Sequence, residues 1–191
     1  IDPTTLARDY PAEVPIHGDV GIVLDDLLIQ LKNETISSEK IDIHNIVQKV
    51  KHQNIEDLTQ KQKMHLNILN VIRCALPKNA FIAADSTQLA YTGSSMFPCY
   101  RDRSWLFPVG YGTLGFALPA AIGAKLAVPN RPGAVIIGDG GLLFTLGDLA
   151  TAVDQNLSMP IIIWNNSGYG QIKDDMRALG QPETGVDLKN P

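Results

Sequence analysis

Long hydrophobic runs are missing from this 191-residue chain. No stretch approaches the roughly 18 apolar residues that a membrane-spanning helix needs. The longest, around Val135 and Ile161, are the size of a β-strand. Positive charge is not in excess either: 16 Lys and Arg stand against 20 Asp and Glu, a formal net charge of −4. That balance excludes the basic footprint of a nucleic-acid binder. The sequence does not open with a basic stretch followed by an apolar one, so it reads without a secretory signal. Cysteine is scarce, and Cys74 and Cys99 lack metal-type spacing. A disulfide between them stays open, but two free thiols in a reducing cytoplasm is the preferred reading. His17, His44, His52 and His65 are scattered, again without metal spacing, and read as surface or linker residues. What is present is an ordinary globular composition, 45% hydrophobic and 19% charged. The length suffices for one well-buried domain plus a flanking piece.

Periodicity divides the chain unevenly. Residues 14–20 have strand and turn character, and 21–31 carry apolar residues at helical spacing. Residues 32–54 are polar and read as a linker with one weak helix. Order sharpens afterwards. A helical pattern covers 60–75, with Cys74 on its apolar side as a core candidate. A short buried strand covers 80–84 and ends at Asp85. Residues 91–108 are aromatic and irregular and read as a loop. In that loop Phe97, Tyr100, Trp105 and Phe107 either line a pocket or simply pack. A glycine-rich segment over 110–115 leads into an alanine-rich helix over 116–128. Strands follow at 134–138 and 160–164, with a helix over 144–156 between them, and another helix starts at 171. Lys173, Asp174, Asp175 and Arg177 read as a solvated face of that last helix, while Tyr169 and Gln171 stand near its start. Short, uniformly apolar strands alternating with helices predict an α/β fold: a parallel sheet flanked by helices on both faces. Such sheets bind ligands beyond the carboxyl ends of their strands. Three polar clusters, Asp85 to Gln88, Asp139 to Gly141 and Asn165 to Gly170, fall at three such ends, so the topology gathers them on one edge.

Each cluster has a chemistry and a plainer alternative. In Gly138-Asp139-Gly140-Gly141 a carboxylate follows a buried strand, and the glycines let backbone N–H groups approach an anion. A helix beyond would add its positive end. Alone, this is equally a tight turn with an Asp cap. In Asn165-Asn166-Ser167-Gly168-Tyr169-Gly170 an amide oxygen suits Mg²⁺. Alone, Asn and Gly also make an ordinary turn. Together, one carboxylate, one amide oxygen and a backbone carbonyl make half an octahedron, which phosphate oxygens and water complete.

Gly138-Asp139-Gly140 followed at this distance by Asn165-Asn166 resembles the cofactor motif of thiamine-diphosphate enzymes. The segment GYGTLGFALPAAIGAKLA (110–127) and the turn AADSTQ (83–88) are similar to the acetolactate synthase and 2-oxo acid decarboxylase branch. Residues 1–20 resemble the end of the central domain of those enzymes. Where many acetolactate synthases have Met, Gly and His, this sequence has Leu114, Thr87 and Leu89. The set looks more like decarboxylases of larger 2-oxo acids, including the guanidino-oxopentanoate type.

The resemblance implies roles. Asp139, Asn166 and the carbonyl of Gly168 would hold Mg²⁺. Ser86, Thr87, Gln88, Gly140 and Gly141 would contact the diphosphate of thiamine diphosphate. Gly112 would accept from its aminopyrimidine, and Leu114 would be the apolar wedge under the bent cofactor. Thr113, Gly138, Tyr169 and Gly170 complete the expected cofactor set. The resemblance also implies a homodimer or homotetramer acting on a small-molecule 2-oxo acid. It implies three parts: the tail of a central domain (1–31), a linker (32–56) and the cofactor domain (57–191), cut short at its end. The activating glutamate of the family lies on a pyrimidine-binding domain outside this sequence, so the piece alone is expected to be inactive. Two other readings stand beside this one. The first is a non-catalytic nucleotide- or phosphate-binding module of the same fold; the second is a degenerate homologue with a structural role.

Overall fold

A computed structural model describes residues 3–32, 34 and 42–189. Two compact units divide the chain, Ile1–Val50 and Lys51–Pro191.

In the first unit the expected strand character of residues 14–20 gives way to irregular chain. Helix α1 (Val20–Leu31) begins at the end of that stretch. Asp19 explains the start: its carboxylate accepts from the backbone N–H groups of Gly21 and Ile22, two of the donors a helix leaves unpaired. Helix α2 (Ile43–Glu56) occupies the segment read as a linker with a weak helix. Asp42 caps it, accepting from Asn45 N–H at 2.9 Å.

The second unit owes its architecture to strands that are apolar on both sides. Helix α3 (Gln60–Ala75) starts with a reciprocal cap between Thr59 and Gln62. Strand β1 (Phe81–Ala84) follows, then α4 (Gln88–Met96), β2 (Trp105–Leu106), α5 (Ala117–Ala127), β3 (Gly133–Gly138), α6 (Asp139–Thr145), α7 (Asp148–Asp154), β4 (Ile161–Trp164) and α8 (Gly170–Ala178). All strand pairs are parallel, in the order β2-β1-β3-β4. Alternate side chains of β1 and β3 enter two separate cores. Ile82, Ala84, Ala134 and Ile136 pack with Leu69, Leu89 and Phe97. Phe81, Ala83, Val135 and Ile137 pack with Leu118, Ile122 and Ala152 from the other face. A strand buried on both faces has no polar alternation to show. Each large side chain so buried contributes about 1.5–3 kcal/mol.

Three expectations need correction. Residues 91–108 are not one loop, because they contain most of α4 and all of β2. The small polar residues of α4 have weak helical propensity, but Leu89, Ala90, Thr92 and Gly93 are buried, and the Trp105 ring lies against Gly93. Packing overrides propensity there. The single helix over 144–156 is two short ones. At their junction Leu149 and Ala150 bond back three residues, to Leu146 and Gly147, instead of four. β4 is not fully buried either: it is an edge strand of this sheet, and Ile163 is 49% exposed. Among the described residues no helix is long and apolar enough to cross a membrane.

Candidate cofactor site

The strand order decides where a ligand can sit. From β1 the chain moves outward to β2, and from β3 it moves the opposite way to β4. A crevice therefore opens beyond the carboxyl ends of β1 and β3, where the connections diverge. A cavity of about 280 Å³ lies there. Ser86, Thr87, Gln88, Gly112, Leu114, Gly138, Asp139, Gly140, Gly141, Asn166, Gly168, Tyr169 and Gly170 line it. Of the residues expected from the sequence only Thr113 is missing from this lining; its hydroxyl donates to the Leu114 carbonyl at 3.1 Å.

Asp139 is the first residue of α6 and is 7% exposed. Its carboxylate sits at the positive end of a helix, where negative charge is favoured. The expected helix at 144 thus begins five residues earlier, with Asp139 as part of its first turn. Opposite, Asn166 belongs to a loop. Asn165 Oδ1 accepts from Ser167 N–H at 3.0 Å and holds Ser167 in the left-handed region at φ 55°. The segment near the carboxyl end of the chain clips this loop: Tyr169 N–H donates to the Val186 carbonyl and Leu188 N–H to the Ser167 carbonyl, both at 2.8 Å. Gly168 has to be glycine for this, because a Cβ would stand 2.5 Å from the Val186 carbonyl oxygen.

The third turn carries a residue whose part the sequence reading missed. Asp85 is fully buried. Its oxygens accept from Gly115 N–H at 3.0 Å and Phe116 N–H at 2.8 Å. It thereby fastens the glycine-rich segment that brings Gly112 and Leu114 to the cavity. Burial pushes its carboxyl above the usual range, and backbone N–H groups of Gly115, Phe116, Ala117 and Ser86 pull it partly back. The signal was present, an acid directly at the end of a buried strand, but it reads as the start of a polar turn. Tyr91, Gln171, Ile172 and Asp175 also line the cavity. Asp175 is exposed, as expected of a solvated face, and there Gln171 Nε2 donates to it at 2.9 Å beside the cavity.

Of the two readings left open for Phe97, Tyr100, Trp105 and Phe107, packing holds: none of them lines the cavity. Phe97 and Trp105 stack with centroids 5.2 Å apart, and Arg73 lies over Phe97 and Tyr100. His65 is not a surface histidine: it is 2% exposed, with Nδ1 3.1 Å from the Thr92 hydroxyl. Burial, then the nearby Lys61 charge, holds its imidazole below the usual range. Cys74 is exposed rather than core, because its helix turns His65, Leu69 and Ile72 inward instead. Neither Cys74 nor Cys99 is in a disulfide.

The arrangement suits a diphosphate with a hard cation. The buried Ser86 Oγ has no hydrogen-bond partner among the described residues. Gly138, Gly140 and Gly141 line the same wall. Among the described residues no group of three or more His, Cys, Asp or Glu could hold a metal. One carboxylate, one amide and one carbonyl is instead the sparse oxygen set that Mg²⁺ takes alongside phosphate oxygens and water. Residues 85–191 match the family model for the thiamine pyrophosphate enzyme C-terminal TPP-binding domain. The chain belongs to this family.

Relatives of the TPP-binding domain extend the match upstream. A probable 2-ketoarginine decarboxylase of Pseudomonas aeruginosa is 44% identical over 193 residues, covering 100% of this chain and 34% of that protein. The acetolactate synthase isozyme 1 large subunit of Escherichia coli K12 is 32% identical over 174 residues, 90% of this chain and 30% of its own length. Among solved structures, a thiamine diphosphate-dependent 4-hydroxybenzoylformate decarboxylase of Rhodococcus jostii RHA1 superposes with a TM-score of 0.61 at 30% identity, covering 66% of this chain and 24% of that one. The chain thus spans about a third of the length of the curated relatives it matches. The family match leaves the reading as a non-catalytic nucleotide- or phosphate-binding module without support.

Proposed function

We propose that this TPP-binding domain holds thiamine diphosphate through Mg²⁺ as part of an enzyme that decarboxylates a 2-oxo acid. Asp139, the Asn166 side chain and the Gly168 carbonyl are the protein ligands of the metal. Ser86, Thr87, the backbone of Gln88 and the N–H groups of Gly140 and Gly141 hold the diphosphate, with Gly138, Tyr169 and Gly170 shaping its wall. The Gly112 carbonyl accepts from the aminopyrimidine, and Leu114 gives the ring an apolar surface to rest on. Thr113 acts only through the loop that carries these two. Bound there, the cofactor supplies the electron sink for loss of CO₂. The chain's own part is to anchor, to orient and to offset the charge of diphosphate against Asp139 with a divalent ion.

The observation that carries this reading is the meeting of three strand ends in one cavity, at the point where the sheet's connections diverge. The substrate class follows from two supports. The Pseudomonas aeruginosa relative is named for 2-ketoarginine, and the Asp175 carboxylate borders the cavity. We therefore propose a 2-oxo acid with a cationic, guanidino-type end, decarboxylated to an aldehyde; carboligation as in acetolactate synthase is the second outcome. We further propose residues 1–31 as the tail of a preceding central domain, residues 32–56 as a linker and residues 57–191 as the cofactor domain. The working enzyme is a homodimer or homotetramer in the cytoplasm, the latter on the ground that both thiols are unpaired. The test is thiamine diphosphate binding to the full-length enzyme, titrated calorimetrically with and without Mg²⁺. Affinity should depend on Mg²⁺ and fall by a factor of about 100 or more in Asp139→Ala, since one of few charged ligands is removed. Unchanged affinity in that variant would show the metal assignment to be wrong.

A further inference from the structure

Three elements converge on the carboxylate of Asp174 in α8. Lys61 Nζ, from α3, donates to Oδ2 at 2.6 Å, and Gln88 Nε2, from α4, donates to the same oxygen at 2.7 Å. Arg177 Nη1, one turn along α8, approaches Oδ1 at 3.4 Å. The Lys61 ammonium, first among its partners, holds this carboxyl below the usual range. An ionised carboxylate only accepts. Gln88 therefore turns its NH₂ toward Asp174, and its Oε1 faces the other way. There it accepts from Asn166 Nδ2 at 3.4 Å. An amide has one nitrogen and one oxygen, so committing the nitrogen of Asn166 to Gln88 leaves its oxygen for the cavity. Gly170 preserves this arrangement: a Cβ there would overlap Asn166 Nδ2 and stand 3.0 Å from Gln88 Oε1.

Resting on the reading that the cavity takes thiamine diphosphate with Mg²⁺, we propose that Asp174 is a positioning residue for the metal: it sets the direction of the Gln88–Asn166 hydrogen-bond chain, so that Asn166 meets the cation with oxygen and not with NH₂. Neither Asp174 nor Lys61 lines the cofactor cavity. Both line a neighbouring hollow of about 210 Å³ that shares Gln88 with it. A plain clamp between α3 and α8 would need only opposite charges, in either order. A relay needs the acceptor at position 174.

That difference is testable in the full-length enzyme. The double swap Lys61→Asp with Asp174→Lys keeps the ion pair but places a donor at position 174. Gln88 Oε1 would then turn to that donor, its NH₂ would face Asn166, and the Asn166 oxygen would be drawn off the cavity. The apparent Mg²⁺ affinity, read by calorimetric titration with thiamine diphosphate, should fall about tenfold, while the melting temperature without ligands stays close to wild type. Lys61→Met keeps the acceptor and should leave Mg²⁺ affinity close to wild type. A swapped enzyme with wild-type Mg²⁺ affinity overturns the proposal. If the swap does not fold, Asp174→Ala beside Lys61→Met decides, because both break the ion pair and only the first removes the acceptor for Gln88: Mg²⁺ binding weakened in Asp174→Ala alone supports the relay, and binding unchanged there or weakened equally in both overturns it. A wild-type enzyme whose thiamine diphosphate binding ignores Mg²⁺ defeats the reading of the site itself, an outcome distinct from a wild type that responds and a swap that does not.

Discussion

Asp139 and Asn166 face one cavity but are held there by different means. Asp139 is buried and stands where β3, inside both cores, turns directly into α6. Asn166 is exposed, follows an edge strand and sits in a loop with a left-handed residue. Gln88 and the Val186–Leu188 segment, far away in sequence, hold that loop. The first position is a property of a local junction in a packed core. The second is a property of contacts among three distant parts of the chain. One should therefore be disturbed only together with global stability, and the other nearly independently of it.

The largest effect belongs to the Asp139 side. A Cβ at Gly141 would overlap Asp85 Oδ2, which is buried and already engaged by Gly115 N–H. Gly141→Ala should cost about 3 kcal/mol in the full-length enzyme, the upper end for overpacking a tight core. Thermal melting reads this directly; a melting temperature within a degree of wild type, by the usual scaling of about 2–4 °C per kcal/mol for larger domains, would contradict the junction's rigidity.

On the Asn166 side the same kind of substitution should do less to the whole and more to the loop. Gly168→Ala pushes the Val186 carbonyl away and should loosen the Tyr169 and Leu188 amides. We expect about 1 kcal/mol of global cost, near the middle of the range for single substitutions. Hydrogen exchange of those two amides should speed up while the strand amides of Val135 and Ile137 stay protected. Equal acceleration in β3 would erase the distinction between the two sides.

The smallest effect concerns a residue outside the cavity lining. His65 packs edge-on against Trp164, the last residue of β4, with ring centroids 5.0 Å apart. Its imidazole is held below the ordinary value of about 6.5. As pH falls through 6.5 the unfolded chain takes up a proton that the folded chain refuses. Stability contributed by neutral His65 is therefore full above that pH and is lost as pH falls toward the depressed folded value. His65→Gln should flatten this part of the profile between pH 7.5 and the acid side, measured as urea midpoints. Identical slopes in the two proteins would remove His65 from the account.

Much of this was legible in residue order, and the failures are instructive. Strands over residues 80–84, 134–138 and 160–164 announced themselves because short apolar runs bounded by turns have few other uses. Their parallel pairing followed from the helices between them. The cavity lining was legible too, because carboxyl ends of parallel strands share an edge. α4 and β2 were not legible. Thr92, Gly93, Ser94 and Ser95 give no helical pattern, and two-residue β2 is a strand only because Ile82 and Ala83 lie beside it. His65 and Cys74 exchanged their expected places for a similar reason. Both lie on α3, and which of its faces turns inward depends on β1 and α4, not on α3 itself.

The sequence by itself determined the α/β class, the three turns and the residue types they present. Local periodicity and strand-end position suffice for that. Only the tertiary structure decided that Asp85 ties down the glycine-rich segment and that Thr113 stays outside the cavity. It alone brought Asp174, Gln88 and Asn166 into one hydrogen-bonded chain. The physical reason is the same in each case. A hydrogen bond between residues 30, 78 or 86 positions apart, as in these links, has no local pattern to betray it, because folding and not sequence makes those residues neighbours.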